Sequence, residues 1–134
     1  MWLFSQTPKL NPKITFEGIE FTFHREDEWW EFTYRGTAFS SFEPVLIMPM
    51  KTQLDSILST LETLMPELRT KLRSGLSEWS DATLDSGETY SIDVKDFAND
   101  GAFSVSWSNC ASWGDIGVEY TIKDHAIIDE SWSD

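Results

Sequence analysis

A single cysteine, Cys110, leaves this chain of 134 residues without an internal disulfide or a multi-cysteine zinc site. Basic residues are scarce as well: 10 Lys and Arg stand against 23 Asp and Glu, for a net charge of −13. That sign opposes direct binding to nucleic acid or to an anionic membrane surface. No run approaches the ~20 consecutive apolar residues that span a bilayer. The opening Met1-Trp2-Leu3-Phe4 lacks the charged start, long apolar region and small-residue cleavage site of a secretory signal, so the cytoplasm is the expected compartment. Neither G-x-x-x-x-G-K-[ST] nor G-x-G-x-x-G occurs, and the 7 glycines are scattered, which argues against nucleotide binding by either loop. G-x-S-x-G is missing too.

Large rings, by contrast, are plentiful: 7 Trp, 9 Phe and 3 Tyr. They supply much apolar area per residue, which suits a thin core between one sheet and one helix and contradicts the composition of a disordered chain. The length fits one domain. Acidity is concentrated late. Residues 75–134 hold thirteen acids and only Lys95 and Lys123, giving −11 of the total. Such a field speeds encounter with a basic partner, although solubility alone is an equally good account.

Pro8 and Pro12 oppose regular structure at the start. Ile14 and Phe16, then Ile19, Phe21 and Phe23, alternate with polar residues, and the phase slips at Gly18 as at a turn or bulge between short strands. Trp30, Phe32 and Tyr34 predict a half-buried strand closed by Gly36. Val45 to Met48, between Pro44 and Pro49, predicts a third strand at an edge. Leu54, Leu58, Leu61, Met65, Leu68, Leu72 and Leu76 recur at helical spacing, with Ile57 and Leu64 widening the stripe. Thr52 and Asp55 resemble a capping pair, and Gly75 suits the C-terminal end. Pro66 should kink this helix or split it at residues 64–66, and the unbroken phase of the stripe favours the kink. The period then returns to two in Tyr90, Ile92 and Val94; in Phe103, Val105 and Trp107; and in Ile116, Val118, Tyr120 and Ile122. Asn99-Asp100-Gly101 reads as a turn, Lys123-Asp124-His125 as another, and Ile127-Ile128 as the start of a short last strand. The expected fold is α+β: an antiparallel or mixed sheet of about six or seven strands, one long Pro-kinked amphipathic helix on one face, ordered strands–helix–strands.

Candidate chemistry is sparse. His24 and His125 fall at a strand end and in a turn, where solvent-exposed imidazoles are the expectation. Cys110 has no adjacent base and reads as a small buried or half-exposed thiol. Asp93, Asp96 and Asp100 do not match the spacing of a calcium loop, and a solvated strand end accounts for them better. No catalytic, cofactor-binding or metal-ligating residue is assigned. The adjacent Trp29 and Trp30 must point to opposite faces of a strand, so one belongs to the core. Trp107, Trp113 and Trp132 could join the other in a surface cluster, against the plainer reading of a second small core under the loops.

The segments "ITFEG", "TQLDSILSTLETLMPELRTKL" and "WGDIGVEYTIKDHAIIDESWSD", following the short apolar opening and its Lys/Pro stretch, give the chain a pattern that resembles small acidic bacterial domains of unknown function. Some of these are grouped with immunity proteins of polymorphic toxin systems. The resemblance covers most of the length and implies a strand–helix–strand layout and an immunity-type role, with no site residue to carry over. The expectation is a non-enzymatic binding module for a basic protein such as a nuclease toxin. Its candidate contacts are Trp29, Trp107, Trp113, Asp93, Asp96, Glu119 and Asp129. Carboxylates would steer the encounter and desolvated rings would hold the complex. The alternatives are a small-ligand binder or enzyme, carbohydrate being the natural guess, with an aromatic-lined cleft, and a structural homodimer.

Overall fold

The computed structural model describes residues 11–46, 48–78, 89–108, 113 and 115–133. Three strand connections in it are only two residues long, and each uses a pair of positive-φ residues: Glu17-Gly18, Arg35-Gly36 and Asp124-His125. Two consecutive left-handed residues match the natural twist of a hairpin, so they close the chain tightly and fix its register. The phase slip at Gly18 is therefore a turn between two strands, β1 (Lys13–Phe16) and β2 (Ile19–His24). The strands β3 (Trp29–Tyr34) and β4 (Thr37–Ser41) follow, and then the helix α1 (Lys51–Leu76). Beyond it come β5 (Tyr90–Asp93), a single turn of helix α2 (Phe97–Asp100), β6 (Phe103–Trp107), β7 (Gly117–Lys123) and β8 (Ala126–Ser133).

The sheet has eight strands in sequence order, β1 to β8, and every neighbouring pair is antiparallel except the parallel β4–β5. A parallel pair cannot be closed by a tight turn, and the segment carrying α1 is the crossover. The expected α+β layout, with strands, one long helix and strands again, stands. Two details of it do not. β4 was unforeseen because Thr37-Ala38-Phe39-Ser40-Ser41 has one large apolar residue and so shows no alternation. Conversely, the apolar stretch around Val45 is a connection. Val45 is exposed and Leu46 packs on the core, while the Trp30 indole Nε1–H donates to the Pro44 carbonyl at 3.1 Å. Ile47 lies outside the described residues.

At ~1.5 Å per residue, α1 is about 39 Å long. It is one uninterrupted helix through Pro66, so the split does not occur. Its start is not the Thr52/Asp55 pair. The Gln53 side-chain Oε1 accepts the Met50 N–H at 2.9 Å, and Asp55 instead accepts the Tyr34 hydroxyl at 2.8 Å and faces Arg35 at 3.4 Å. Gly75 is not the C-cap either; that position is Ser77, in right-handed helical conformation. Leu54, Ile57, Leu61, Leu64, Leu68, Leu72 and Leu76 are buried against the sheet. Each such side chain contributes roughly 1.5–3 kcal/mol of transfer free energy.

The helix-facing side of the sheet supplies the other half of the core. Cross-strand neighbours Phe32, Phe39, Ile92, Val105 and Tyr120 form one row, with Phe32 and Phe39 stacked at 5.1 Å. Phe103, Trp107, Val118 and Ile122 flank it, all buried. The Asn99-Asp100-Gly101 turn is the end of α2, where Gly101 at φ 75° stops the helix. The last strand is longer than expected: β8 pairs along the whole of β7, with a bulge between Thr121 and Ile122. No helix among the described residues is long and apolar enough to cross a membrane.

Candidate functional site

With one helix on one face, the opposite face of the sheet is uncovered by any described helix, and strand alternation decides what it displays. Register links Lys13, Thr22, Glu31, Ser40, Asp93, Ser104, Thr121 and Asp129 as neighbours in a single row across all eight strands. A second row runs Thr33, Ala38, Ser91, Ser106, Glu119 and Ser131. Apart from Lys13 and Ala38, these are hydroxyls and carboxylates. No Lys or Arg occurs in β2 to β6 or in β8, so the strands themselves bring only Lys13 at the β1 edge and Lys123 at the end of β7, while Lys95, just past β5, acts on Asp93.

Strand spacing sets neighbours within a row ~4.8 Å apart, so carboxylates one or two strands apart feel one another. Asp93, on the central strand β5, records this. Burial pushes its carboxyl above the ordinary aspartate range; the Lys95 backbone N–H, which donates to its Oδ1 at 2.8 Å, and the Lys95 ammonium oppose that, while Glu119 and Asp96 add to it. Ser106 donates to Glu119 across the β6–β7 pair at 3.4 Å. A groove of about 420 Å³ runs over this part of the face, bordered by Phe42, Ser91, Ser106, Glu119 and Ser131.

At the β2–β3 end the face becomes aromatic. Trp29 is stacked between the His24 ring at 4.2 Å and the Phe42 ring at 4.9 Å. Glu31 Oε1 lies 2.8 Å from His24 Nε2. Trp29 thus stacks on rings supplied from both sides of β3, His24 at the end of β2 and Phe42 just past β4. Phe42, 54% exposed, presents the open end of the stack.

Of the seven candidate residues, the fold brings four to this face: Trp29, Asp93, Glu119 and Asp129. Asp96 stands apart, in the turn before α2. Trp107 and Trp113 are corrections. Trp107 is fully buried on the helix side between Tyr90 and Tyr120, and Trp113 is buried in the same core, so neither can anchor a partner from the surface. Trp132 also packs on the core, against Gly75 of α1, and not in a surface cluster. Trp107 went inside because it shares strand parity with Val105, and Trp132 because it pairs with Val118. His125 is exposed as expected, with Nδ1 3.1 Å from the hydroxyl of buried Thr60, whereas His24 is half-buried in the stack. Cys110 and Trp79 lie outside the described residues.

Three contributors escaped the sequence reading: Glu31, Phe42 and the serine rows. The signal for Glu31 and the serines was available, in the polar residues that alternate with the core-facing rings of each strand. Phe42 follows a strand with no visible alternation and had none. Among the described residues no three His, Cys, Asp or Glu side chains converge as a metal site. Comparison with protein-family models, with curated proteins and with solved structures returns no match.

Proposed function

We propose that this chain is a non-enzymatic binding protein that presents the uncovered face of its sheet to a basic protein, in the manner of an immunity protein holding a cationic toxin. One observation carries this reading: Glu31, Asp93, Glu119 and Asp129 share one face on which β2 to β6 and β8 bring no lysine or arginine, and Lys95, just past β5, offsets only part of the charge at Asp93. Carboxylates set in strand register form a fixed negative field, which steers a positive surface into contact before any close packing is made. Serine and threonine hydroxyls between them can accept from lysine and arginine as well as donate. The exposed edge of the Phe42 ring adds an apolar and cation–π contact at the border of the acidic rows.

The test is capture from a lysate of the native host on wild-type protein and on a Glu31→Lys/Glu119→Lys/Asp129→Lys variant in parallel, eluted by a salt gradient. The expected result is one stoichiometric basic protein, retained by the wild type, released at high salt and not retained by the variant. Retention of the same protein by both baits would dismiss the acidic face as the site.

A further inference from the structure

The two edges of the sheet are built differently. β1 is four residues long, follows Pro12 and carries Lys13, the features by which edge strands resist unwanted pairing. β8 is eight residues long, has neither proline nor lysine, and among the described residues pairs on one side only. Its other side is a row of backbone donors and acceptors about 26 Å long at ~3.3 Å per residue. Ile128 sits at the bulge of this strand and is 58% exposed.

What this edge would accept follows from its charge. Asp129 and Glu130 lie side by side in the middle of β8, Asp129 on the uncovered face and Glu130 opposite Tyr120 on the helix side. If two copies paired β8 to β8 around a two-fold axis, near-full overlap would set these carboxylates close to their own copies. Like charges facing each other across strands are destabilising. A strand carrying lysines or arginines meets the opposite situation, with Asp129 within reach on one side and Glu119 one strand further in. We infer that β8 is a docking edge for an extended basic segment of a partner protein, added antiparallel or parallel as a ninth strand, and that its two acids act at once as the attraction and as the guard against self-pairing. Main-chain hydrogen bonds would give such a complex its affinity and the alternating side chains its choice of partner. The inference rests on the proposal that the partner is basic, and adds where and in what conformation part of it binds.

The probe is a synthetic peptide of about ten residues alternating lysine and valine, added to the intact chain. The readout is hydrogen exchange of the β8 amides together with titration by calorimetry. Two further peptides carry N-methyl groups on alternate amides, one in each phase. In strand addition, one phase points its methyl groups at β8 and the other points them away. The expected result is slowed exchange in β8 with the plain peptide, loss of at least about tenfold in affinity for one methylated phase, and near-full binding for the other. Equal binding by all three peptides would overturn docking at the edge and leave the acidic reading of the surface intact. Failure of the plain peptide to protect β8 would overturn it as well. Undiminished, phase-dependent binding to a Glu119→Lys/Asp129→Lys variant would keep the edge but remove the case for a basic occupant, and with it the functional reading.

Discussion

Inside the core, Tyr120 is fully buried, and its hydroxyl finds no hydrogen-bond partner among the described residues. Burial, with the Glu130 carboxylate nearby, pushes its ionisation well above the ordinary tyrosine range, so it stays neutral. An unpaired buried hydroxyl costs roughly 1–3 kcal/mol, and Tyr120→Phe removes it while keeping the ring. The expected outcome is a gain of about 1 kcal/mol in urea unfolding; a loss of that size would mean the hydroxyl is satisfied. Asp93 offers a pH-dependent counterpart. Its folded pKa lies above the unfolded one, so its favourable contribution is fully present below the unfolded aspartate range and is lost as pH rises through the folded value. Asp93→Asn keeps an oxygen to accept the Lys95 N–H and removes that loss. Wild type and variant should unfold at similar urea concentrations near pH 3, with the variant ahead near pH 7, and a variant that falls behind at neutral pH would contradict the sign. Gly75 is a steric matter. A Cβ there would overlap the indole of Trp132, whose Nε1–H is held by Glu130 at 2.8 Å. Gly75→Ala should therefore cost about 1–3 kcal/mol despite alanine's better helix propensity, and Trp132→Ala in the same chain should recover part of it.

At the scale of elements, α1 carries an avoidable weakness. Pro66 is exposed in the helix interior, where it removes a backbone donor and crowds the preceding turn. Replacing it by alanine is expected to raise the thermal midpoint, by a free energy of up to about 3 kcal/mol. An unchanged or lower midpoint would show that α1 accommodates the proline at no net cost. The helix was legible in the sequence because its apolar residues, Leu54 to Leu76, keep phase for about six turns, through the proline. The core-facing sides of β5, β6 and β7 were legible for the same reason, with period two in place of 3.6. β4 was not, because one phenylalanine makes no pattern. The run at Val45 misled because hydrophobicity without alternation does not separate a strand from a connection that lays Leu46 on the core. For the candidate site, the carboxylates were visible as residues but not as a set. Which of them share a face depends on the β4–β5 junction, a contact between residues about fifty positions apart that no local signal encodes. Trp107 went astray for the opposite reason: its period-two phase with Phe103 and Val105 is local and already placed it on the core side, against the surface-cluster reading.

At the scale of the molecule, the question is whether the negative field belongs to the chain as a whole or to one face of it. The net charge alone would repel anions and attract cations from every direction, and at about 0.1 M salt its reach is ~10 Å. A face with Glu119 and Asp129 on adjacent strands and Glu31 further along the same side acts within that distance on a partner already close and orients it. The two descriptions separate under charge reversal. Changing Glu31, Glu119 and Asp129 to lysine alters three exposed side chains by two units each and takes the net charge from −13 to −7. Exposed substitutions of this kind leave stability within about 0.5 kcal/mol, which a melt can verify. A second triple variant, Glu62→Lys, Glu67→Lys and Glu78→Lys, makes the same change in net charge at exposed positions on α1 and the turn that follows it. Stopped-flow association with the captured basic protein at about 20 mM salt then tells them apart. The face variant should associate some ten- to a hundredfold more slowly than wild type, the helix variant only a few-fold more slowly, and the three rates should converge as salt rises. Equal slowing in both variants would assign the effect to net charge, leave the face without a role in recognition, and make solubility the sufficient reason for the acids.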